Sequence, residues 1–359
     1  MSRSRIPSLD GIRAISILTV IGYHILQSIG LDHSVGLLWF TILNGNTGVY
    51  VFFVLSGYLI TTLLMKEHEL NNSINLRHFY VRRAFRILPV VLANLFVIWL
   101  LFRIESIHVS LSDFAGAAFF YRNYFRQHGW WPVDHYWTLS MEEQFYFVWP
   151  VVMAYALRRW GLRGARRAAL SVVIASPFVR VISYYAGSSY LRDVVNRSFH
   201  SRADALMWGA FGALSVGTKP FEKCYSQMAR APWLPLLVGI YGESYFELRF
   251  GNIWTLPFGY TLAGAGILFC LLWAVRNPKS LIGLFLNSSV LTRIGVLSYS
   301  IYIWQQLFLN EHNRELLSHP SKGLTRLAAG FVATVLFAEL SYKFVERGAL
   351  NLRVYLEER

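Results

Sequence analysis

The chain contains repeated apolar runs close to the length of a membrane span, and this feature constrains its fold more than any other. A helix needs about 20 predominantly apolar residues to cross a hydrocarbon core roughly 30 Å thick. Ten such runs occur, at 12–29, 48–65, 87–102, 139–157, 168–186, 203–217, 231–247, 254–275, 294–310 and 324–342. Only 15% of the residues are charged, against about 25% in a soluble domain. The sequence therefore predicts an all-α polytopic membrane protein with about ten transmembrane helices.

The basic residues fall between the apolar runs, in the pattern that membrane topology produces. The net charge is +14, but this clustering indicates topology, and we expect no nucleic-acid partner. If the N-terminus with Arg3 and Arg5 is cytoplasmic, the basic loops 66–86 and 158–167 and the C-terminus are cytoplasmic too. If the apolar stretch 109–121 also crossed, the five arginines of loop 158–167 would face outward. We therefore predict a short re-entrant or interfacial segment at 109–121, and an uncleaved first span.

The first apolar run carries an arginine and a histidine, and an aspartate stands just before it. Arg13 and His24 are eleven positions apart, about three helical turns, so they share a face. With a rise of about 1.5 Å per residue, His24 lies roughly 16 Å deeper than Arg13, near the bilayer midplane. An ionisable side chain at that depth indicates a functional site, although a histidine that only packs against a neighbouring helix is the alternative. Asp10, three residues before Arg13, can pair with it, either within the site or as an interfacial anchor.

A second candidate site lies at the start of the third run, where Arg83 and Arg86 are three residues apart. On a helix they share a face, and two neighbouring guanidinium groups repel unless an anion lies between them. Guanidinium suits phosphate, which it binds through paired hydrogen bonds. The alternative is a purely topological role, since arginines commonly flank the cytoplasmic ends of spans.

Three acidic residues are candidates for binding a substrate on the outer side of the membrane, opposite the basic cytoplasmic loops. Glu142 and Glu143 begin the fourth run, and Asp204 begins the sixth. Such carboxylates can bind a sugar hydroxyl or act as a base. The alternatives are a capping box formed by Ser140 and Glu143 and a favourable helix-dipole position for Asp204. The sequence has no metal-ligand spacing and no phosphate-binding glycine loop, so we predict no metal.

Several motifs in this chain resemble those of the acyltransferase-3 family of membrane O-acyltransferases. They occur in the family's order and cover nearly the whole chain. They are Leu9-Asp-Gly-Ile-Arg13, Gly48-Val-Tyr-Val-Phe-Phe-Val-Leu-Ser-Gly-Tyr-Leu-Ile-Thr61, Arg82-Arg-Ala-Phe-Arg-Ile-Leu-Pro89, Trp137-Thr-Leu-Ser-Met-Glu-Glu-Gln-Phe-Tyr146, Arg202-Ala-Asp-Ala-Leu206, Leu297-Ser-Tyr-Ser-Ile-Tyr-Ile-Trp-Gln305 and Ser341-Tyr-Lys-Phe-Val-Glu-Arg347. The resemblance implies ten transmembrane helices and transfer of an acyl group, often acetyl, from cytoplasmic acyl-CoA to an extracytoplasmic acceptor. Acceptors in such families are commonly surface polysaccharides or lipid-linked sugars.

The resemblance also implies roles for individual residues. Arg13 and His24 match a catalytic Arg-x10-His pair, and Arg83 and Arg86 match an Arg-x-x-Arg motif that would hold the phosphates of the acyl-CoA donor. Gln305 stands where the family often has histidine. Glu142, Glu143 and Asp204 stay candidates for the acceptor side. His24 would act as a general base or as a transient covalent acyl carrier.

We therefore expect a single transmembrane acyltransferase domain over 1–347 and a short cytoplasmic tail, 348–359. We expect a bacterial inner-membrane enzyme with both termini cytoplasmic and no fused soluble domain. The expected partners are acyl-CoA, membrane lipid and a carbohydrate or lipid-linked glycan acceptor. The alternative function is a transporter or flippase for an acylated or sugar-linked substrate, which would need no thioester turnover.

Overall fold

The computed structural model describes residues 6–28, 44–126, 131–310 and 323–357, and these residues form helices and no strands. Arg3, Arg5, residue 29 of the first predicted span and residues 358–359 of the predicted tail lie outside this part. The first half of the chain contains α1 (Pro7–Ser28), α2 (Gly45–Asn71), α3 (Leu76–Arg103), α4 (Leu111–Ala118), two 3₁₀ turns (Arg122–Tyr124 and Trp131–Val133) and α5 (Tyr136–Tyr185).

The second half is also helical, with three π-helical stretches that continue the neighbouring helices. In order it contains α6 (Ser189–Val194), α7 (Phe199–Ser215), α8 (Lys219–Met228), α9 (Trp233–Leu236), a π-helix (Leu237–Gly242), α10 (Glu243–Phe250), α11 (Asn252–Trp254), a π-helix (Thr255–Gly259), α12 (Tyr260–Arg276), α13 (Leu281–Leu286), α14 (Ser289–Leu309), α15 (Gly323–Leu340), a π-helix (Ser341–Glu346) and α16 (Arg347–Glu357). Such π-helical stretches often mark functional regions.

Six helical segments in the described part are long and apolar enough to cross a membrane. They are Pro7–Ser28, Gly45–Asn71, Leu76–Arg103, Trp131–Tyr185, Asn252–Arg276 and Thr325–Leu356. Segment Trp131–Tyr185 contains two predicted spans and is interrupted at Gly161, whose φ of 64° breaks the helix. The predicted spans 203–217, 231–247 and 294–310 are helical but are not among the six. The all-α, multi-pass prediction is confirmed, whereas the count of ten is not.

The surface of the bundle is apolar and its interior contains charges, as expected of a protein surrounded by lipid. Large apolar side chains such as Leu92, Phe147 and Phe178 are more than half exposed, at 61%, 71% and 66%. In contrast, Arg122 and Arg180 are completely buried. A soluble protein would show the opposite distribution.

The core of the bundle consists of α1, α2, α7 and α14, with α5 packed on α7. Helices α2 and α7 cross with their backbones almost in contact. A Cβ added to Gly57 would lie 1.8 Å from the Leu206 carbonyl oxygen, and one added to Gly209 would lie 1.9 Å from that of Val54. Small residues permit such close crossings in membrane bundles. The crossing fixes α2 and α7 relative to each other, and both helices contribute to the candidate site.

The predicted re-entrant or interfacial segment 109–121 contains the eight-residue helix α4. Eight residues extend about 12 Å, well short of the hydrocarbon core. Its Asp113 carboxylate pairs with the buried Arg122 at 3.4 Å, and Arg122 also reaches Asp134 at 3.3 Å. These ion pairs attach the segment to the start of α5.

Outside the six long segments, helix α8 is joined to the end of α12 by an ion pair. Glu222 accepts two hydrogen bonds from Arg276, at 2.7 and 2.8 Å, and a third from the Gly217 amide at 2.8 Å. These bonds stabilise the ionised carboxyl and lower the pKa of Glu222 to about 2. The pair therefore stays charged at neutral pH.

Candidate functional site

Among the cavities that the described residues line, two lie on either side of a thin wall. The first, which we call the arginine cavity, has a volume of about 380 Å³. Its charged lining consists of three guanidinium groups and three carboxylates, namely Arg13, Arg83, Arg86, Asp10, Glu142 and Glu346. The cavity therefore brings Arg13 together with the Arg83–Arg86 pair, from which it is separate in the sequence.

Two of the arginines of this cavity are available to bind an anion. Arg13 donates to Asp10 at 3.1 Å, which confirms the predicted Asp10–Arg13 pair. In the described part of the chain, no hydrogen bond or ion pair engages Arg83 or Arg86. The Arg83 guanidinium lies 4.7 Å from the centroid of the Tyr146 ring, a cation–π distance that orients its plane. Arg86, one turn further along α3, is exposed.

Glu142 lies in the arginine cavity, where it receives two hydrogen bonds. Ser56 on α2 donates to its carboxylate at 2.9 Å, and Tyr146, one turn later on α5, donates at 3.2 Å. Opposite it, Glu346 lies in the π-helical stretch before α16 and accepts from Ser300 at 3.3 Å. Glu142 is thus held among the arginines predicted to bind the donor, on the side away from His24.

His24 borders the second cavity, which we call the histidine cavity and which has a volume of about 490 Å³. The Nδ1 atom of His24 lies 3.1 Å from Oε1 of Gln27, one turn further along α1. Gln27 in turn donates through Nε2 to the Tyr23 hydroxyl at 3.1 Å. All three side chains line the cavity. The imidazole is thus held by neighbours from its own helix.

Three other buried side chains border the histidine cavity with polar atoms that have no hydrogen-bond partner in the described part of the chain. They are both ring nitrogens of His135, Nε and Nη2 of Arg202, and Oε1 of Gln306. His135 is 4% exposed and Arg202 is 2% exposed. Because buried polar groups are normally satisfied, these atoms are available to hydrogen-bond a polar ligand that enters the cavity.

Aromatic rings line the same cavity. The Arg202 guanidinium lies 4.0 Å from the Tyr260 ring centroid and 4.4 Å from that of Tyr50. Trp131 and Trp137 also border the space. Aromatic rings beside hydrogen-bonding groups provide both an apolar face and specific polar contacts for a small polar ligand.

The wall between the two cavities contains Tyr302 of α14 and Val49 of α2. Tyr302 and Val49 line both cavities. The Tyr302 hydroxyl is hydrogen-bonded to Thr138, which lines the arginine cavity, and donates to the His135 carbonyl at 3.1 Å. A single layer of side chains thus separates the space beside Glu142 from the space beside His24.

Asp204 and Glu143 border neither cavity as far as the described residues define them. Asp204 is fully buried, accepts from Arg180 at 2.9 Å and from Thr261 at 2.6 Å, and lies within the bundle. Glu143 has a buried oxygen with no partner among the described residues. Ser140 lies one turn inside α5, which begins at Tyr136, so the capping-box alternative for Glu143 is wrong.

Sequence reasoning missed Gln27, Tyr302 and Glu346 as lining residues. It also gave no role to His135 or to Arg202, although Arg202 stands in one of the motifs above. The i, i+3 spacing of His24 and Gln27 was a usable signal, since such residues are neighbours on a helix. Contacts such as that of Tyr302 with Thr138 join residues 164 positions apart. No local pattern specifies a contact of that kind.

Comparison with known proteins identifies the family. The acyltransferase domain model of acyltransferase-3 matches residues 6–342. The chain belongs to the acyltransferase-3 family. This confirms the family resemblance drawn from the motifs.

Relatives of the chain in this family are O-acetyltransferases by name. The O-acetyltransferase OatA of Staphylococcus aureus strain NCTC 8325 / PS 47 is 29% identical over 364 residues, which is 95% of this chain and 56% of the relative. OatA of strain COL gives the same values. A further strain COL protein, with a provisional O-acetyltransferase name, is 28% identical over 367 residues, again 95% and 56%.

The chain thus spans about half the length of the curated relatives it matches. No solved structure matches it. Within the described residues, no group of histidine, cysteine and carboxylate side chains could hold a metal ion.

Proposed function

We propose that the protein transfers an acyl group, most simply acetyl, from acyl-CoA to a hydroxyl of an extracytoplasmic carbohydrate. The observation that carries this proposal is the pair of cavities, with free guanidinium groups in one, an imidazole in the other and a single side-chain wall between them. The O-acetyltransferase names of the relatives support the choice of acetyl and of an oxygen acceptor.

The arginine cavity is the proposed donor site. CoA carries phosphate groups, and Arg83 and Arg86 can each form charge-assisted hydrogen bonds to them. Arg13 is partly neutralised by Asp10, so it contributes less to anion binding and more to the orientation of the donor. The thioester end of the donor would extend from the arginines toward Glu142 and the wall at Tyr302.

The histidine cavity is the proposed acceptor site. There His24 would take the proton of the attacking hydroxyl as its oxygen bonds to the thioester carbonyl carbon. The carbon–sulfur bond then breaks, the CoA thiolate leaves, and the proton held by the imidazole returns to neutralise it. In the alternative route His24 attacks the thioester carbonyl carbon first, and the carbon–sulfur bond breaks to release the CoA thiolate. The hydroxyl then displaces the imidazole from the acyl carbon, and the hydroxyl proton passes through the imidazole to the thiolate. His135, Arg202 and Gln306 offer unsatisfied polar atoms for the sugar.

We propose that Glu142 acts at the donor side, where it lies beside Arg83, and that Glu143 and Asp204 support the acceptor side indirectly through helices α5 and α7. The assignment of Glu142 follows the cavity that its side chain borders. It separates Glu142 from the acceptor role predicted for it from the sequence.

The proposed orientation places the arginine cavity toward the cytoplasm of a bacterial inner membrane, with ten spans and both termini inside. The single domain 1–347 and its tail, 348–359, belong to this proposal. Cysteines introduced at Phe125 and Arg163 test it in intact cells with an impermeant thiol reagent. Labelling at 125 alone supports the orientation, and labelling at 163 contradicts it.

The function is tested by CoA release and by product analysis. Membranes containing the protein should release CoA from acetyl-CoA, and surface glycans of cells that express it should gain acetyl groups detectable by mass spectrometry. His24→Ala should abolish both at normal expression. His200→Ala is the matched control, because His200 lines neither cavity. Acceptor movement without CoA release would instead support a transporter.

A further inference from the structure

The hydrogen bonds around His24 determine which ring nitrogen carries its proton. Gln27 presents its amide oxygen to Nδ1 at 3.1 Å, and its amide nitrogen donates to the Tyr23 hydroxyl at 3.1 Å. An amide oxygen only accepts hydrogen bonds, so Nδ1 must be the donor. In the described part of the chain, no hydrogen bond engages Nε2 of His24.

We propose that Gln27 is a positioning residue that fixes His24 as the Nδ1–H tautomer and leaves the Nε2 lone pair open to the histidine cavity. A neutral imidazole can accept a proton only at the nitrogen that carries its lone pair. The role of this tautomer in acyl transfer rests on the proposed function, whereas the tautomer itself does not.

Tyr23 in turn holds the end of the Gln27 side chain in place through its hydroxyl. Its ring packs directly on the backbone of α2, where a Cβ added to Gly45 would lie 2.7 Å from Cδ1 of Tyr23. The ring also meets the His24 ring edge to face, with centroids 5.7 Å apart. Gly45, Tyr23, Gln27 and His24 thus form a continuous series of contacts from α2 to the reactive nitrogen.

The nearest charged groups do not substitute for the amide. Asp134, which faces His24 from the start of α5, is engaged by Arg122 and by Arg197 at 2.7 Å. The other titratable and charged groups that border the cavity are His135, Arg197, Arg202, Glu247, Tyr260 and Tyr302. None of these groups has a hydrogen bond to His24 in the described residues. The amide of Gln27 therefore determines the tautomer.

The test is solid-state ¹⁵N NMR of histidine-labelled full-length protein in lipid bilayers, where protonated and unprotonated ring nitrogens have separate shifts. Subtracting the spectrum of His24→Ala isolates the His24 signals. We expect Nδ1–H in the wild type, a mixture of tautomers in Gln27→Met, and restored Nδ1–H in Gln27→Glu, because a carboxylate also accepts from Nδ1. Gln305→Met, the same change at a buried glutamine bordering neither cavity, should leave the signals unchanged.

An Nε2–H tautomer in the wild type, or an unchanged His24 spectrum in Gln27→Met, would overturn the proposal. Neither measurement uses a donor or an acceptor, so failure of the proposed function leaves it intact. If transfer occurs, Gln27→Met should lower kcat by about tenfold or more with the KM for acetyl-CoA unchanged, within the roughly 10²–10⁴-fold contribution of a positioned base. A change in KM alone would contradict the positioning role.

Discussion

Asp204 should be required for folding rather than for chemistry, because it neutralises a buried arginine. Arg180 is fully buried and donates to Asp204 at 2.9 Å, to the Leu256 carbonyl at 2.7 Å and to the Ser201 carbonyl at 2.7 Å. It also donates to Thr261 at 2.6 Å, which itself donates to Asp204. These bonds join α5, α7 and α12 in the bundle interior.

The expected loss of folding stability follows from the buried charge that remains uncompensated when this network is broken. Asp204→Ala leaves the Arg180 guanidinium buried and uncompensated, and removing one partner of a buried ion pair costs about 3–5 kcal/mol. Asp204→Asn keeps the shape and an oxygen acceptor but loses the charge. It should cost about 1.5–3 kcal/mol, the range for a hydrogen bond to a charged group. Arg180→Met combined with Asp204→Leu should recover much of the loss.

The assay is thermal unfolding of the purified protein in detergent. It is measured for the two Asp204 variants, and for Arg180→Met, Asp204→Leu and their combination as a double-mutant cycle. Asp193→Ala is the matched control, since Asp193 forms an exposed ion pair with Arg126 at 3.2 Å that should contribute at most about 1 kcal/mol. If Asp204→Asn unfolds like the wild type but loses acyl transfer, Asp204 acts on the acceptor and this reasoning is refuted.

Three further predictions concern the cavities and the surface ion pair. Arg86→Lys should weaken acyl-CoA binding in detergent about tenfold, because lysine lacks the planar fork that binds phosphate; a topological role predicts unchanged affinity. Tyr302→Ala should open the wall and allow acyl-CoA hydrolysis without an acceptor, whereas Tyr302→Phe should retain most of the barrier; equal hydrolysis by both would exclude the ring as the barrier. Glu222→Gln should lower Tm at pH 7. A carboxyl whose pKa is lower in the folded state than in the unfolded state stabilises the fold at pH values above the unfolded-state pKa. The difference in Tm should vanish as the pH falls from about 4.5 to 2; a difference independent of pH would contradict it.

The sequence was sufficient to predict the helices, because each depends on a local apolar run. The predicted spans 12–29 and 48–65 correspond to α1 and α2, and the Asp10–Arg13 pair follows from helical spacing alone. Helix ends were less predictable. The start of α5 at Tyr136, ahead of the predicted span at 139, is set by packing in which Tyr136 is fully buried and donates to Asn94 at 2.8 Å.

The site was only partly predictable, since the sequence identifies ionisable residues but not which of them meet. Glu142 was predicted to lie on the acceptor side from its position along the chain. Its place beside Arg83 depends on how α5 packs against α2 and α3, and Ser56 lies 86 residues away. Asp204 was predicted as a site residue because it is an acid in a membrane helix. Its partner Arg180 lies in the predicted span 168–186, which contains no predicted site residue. Which ionisable residues pair with each other depends on the tertiary structure.

The Tyr302 wall has an electrical consequence. In the proposed orientation the two polar cavities approach each other from opposite faces and shorten the insulating path, so much of the transmembrane voltage would fall across the wall instead of about 30 Å of hydrocarbon. One elementary charge moved through 100 mV corresponds to about 2.3 kcal/mol. Negative charge that develops on the carbonyl oxygen as the acyl group passes Tyr302 would lie in that field. For the proposed reaction, the rate would then depend on the membrane potential as well as on the concentrations of donor and acceptor.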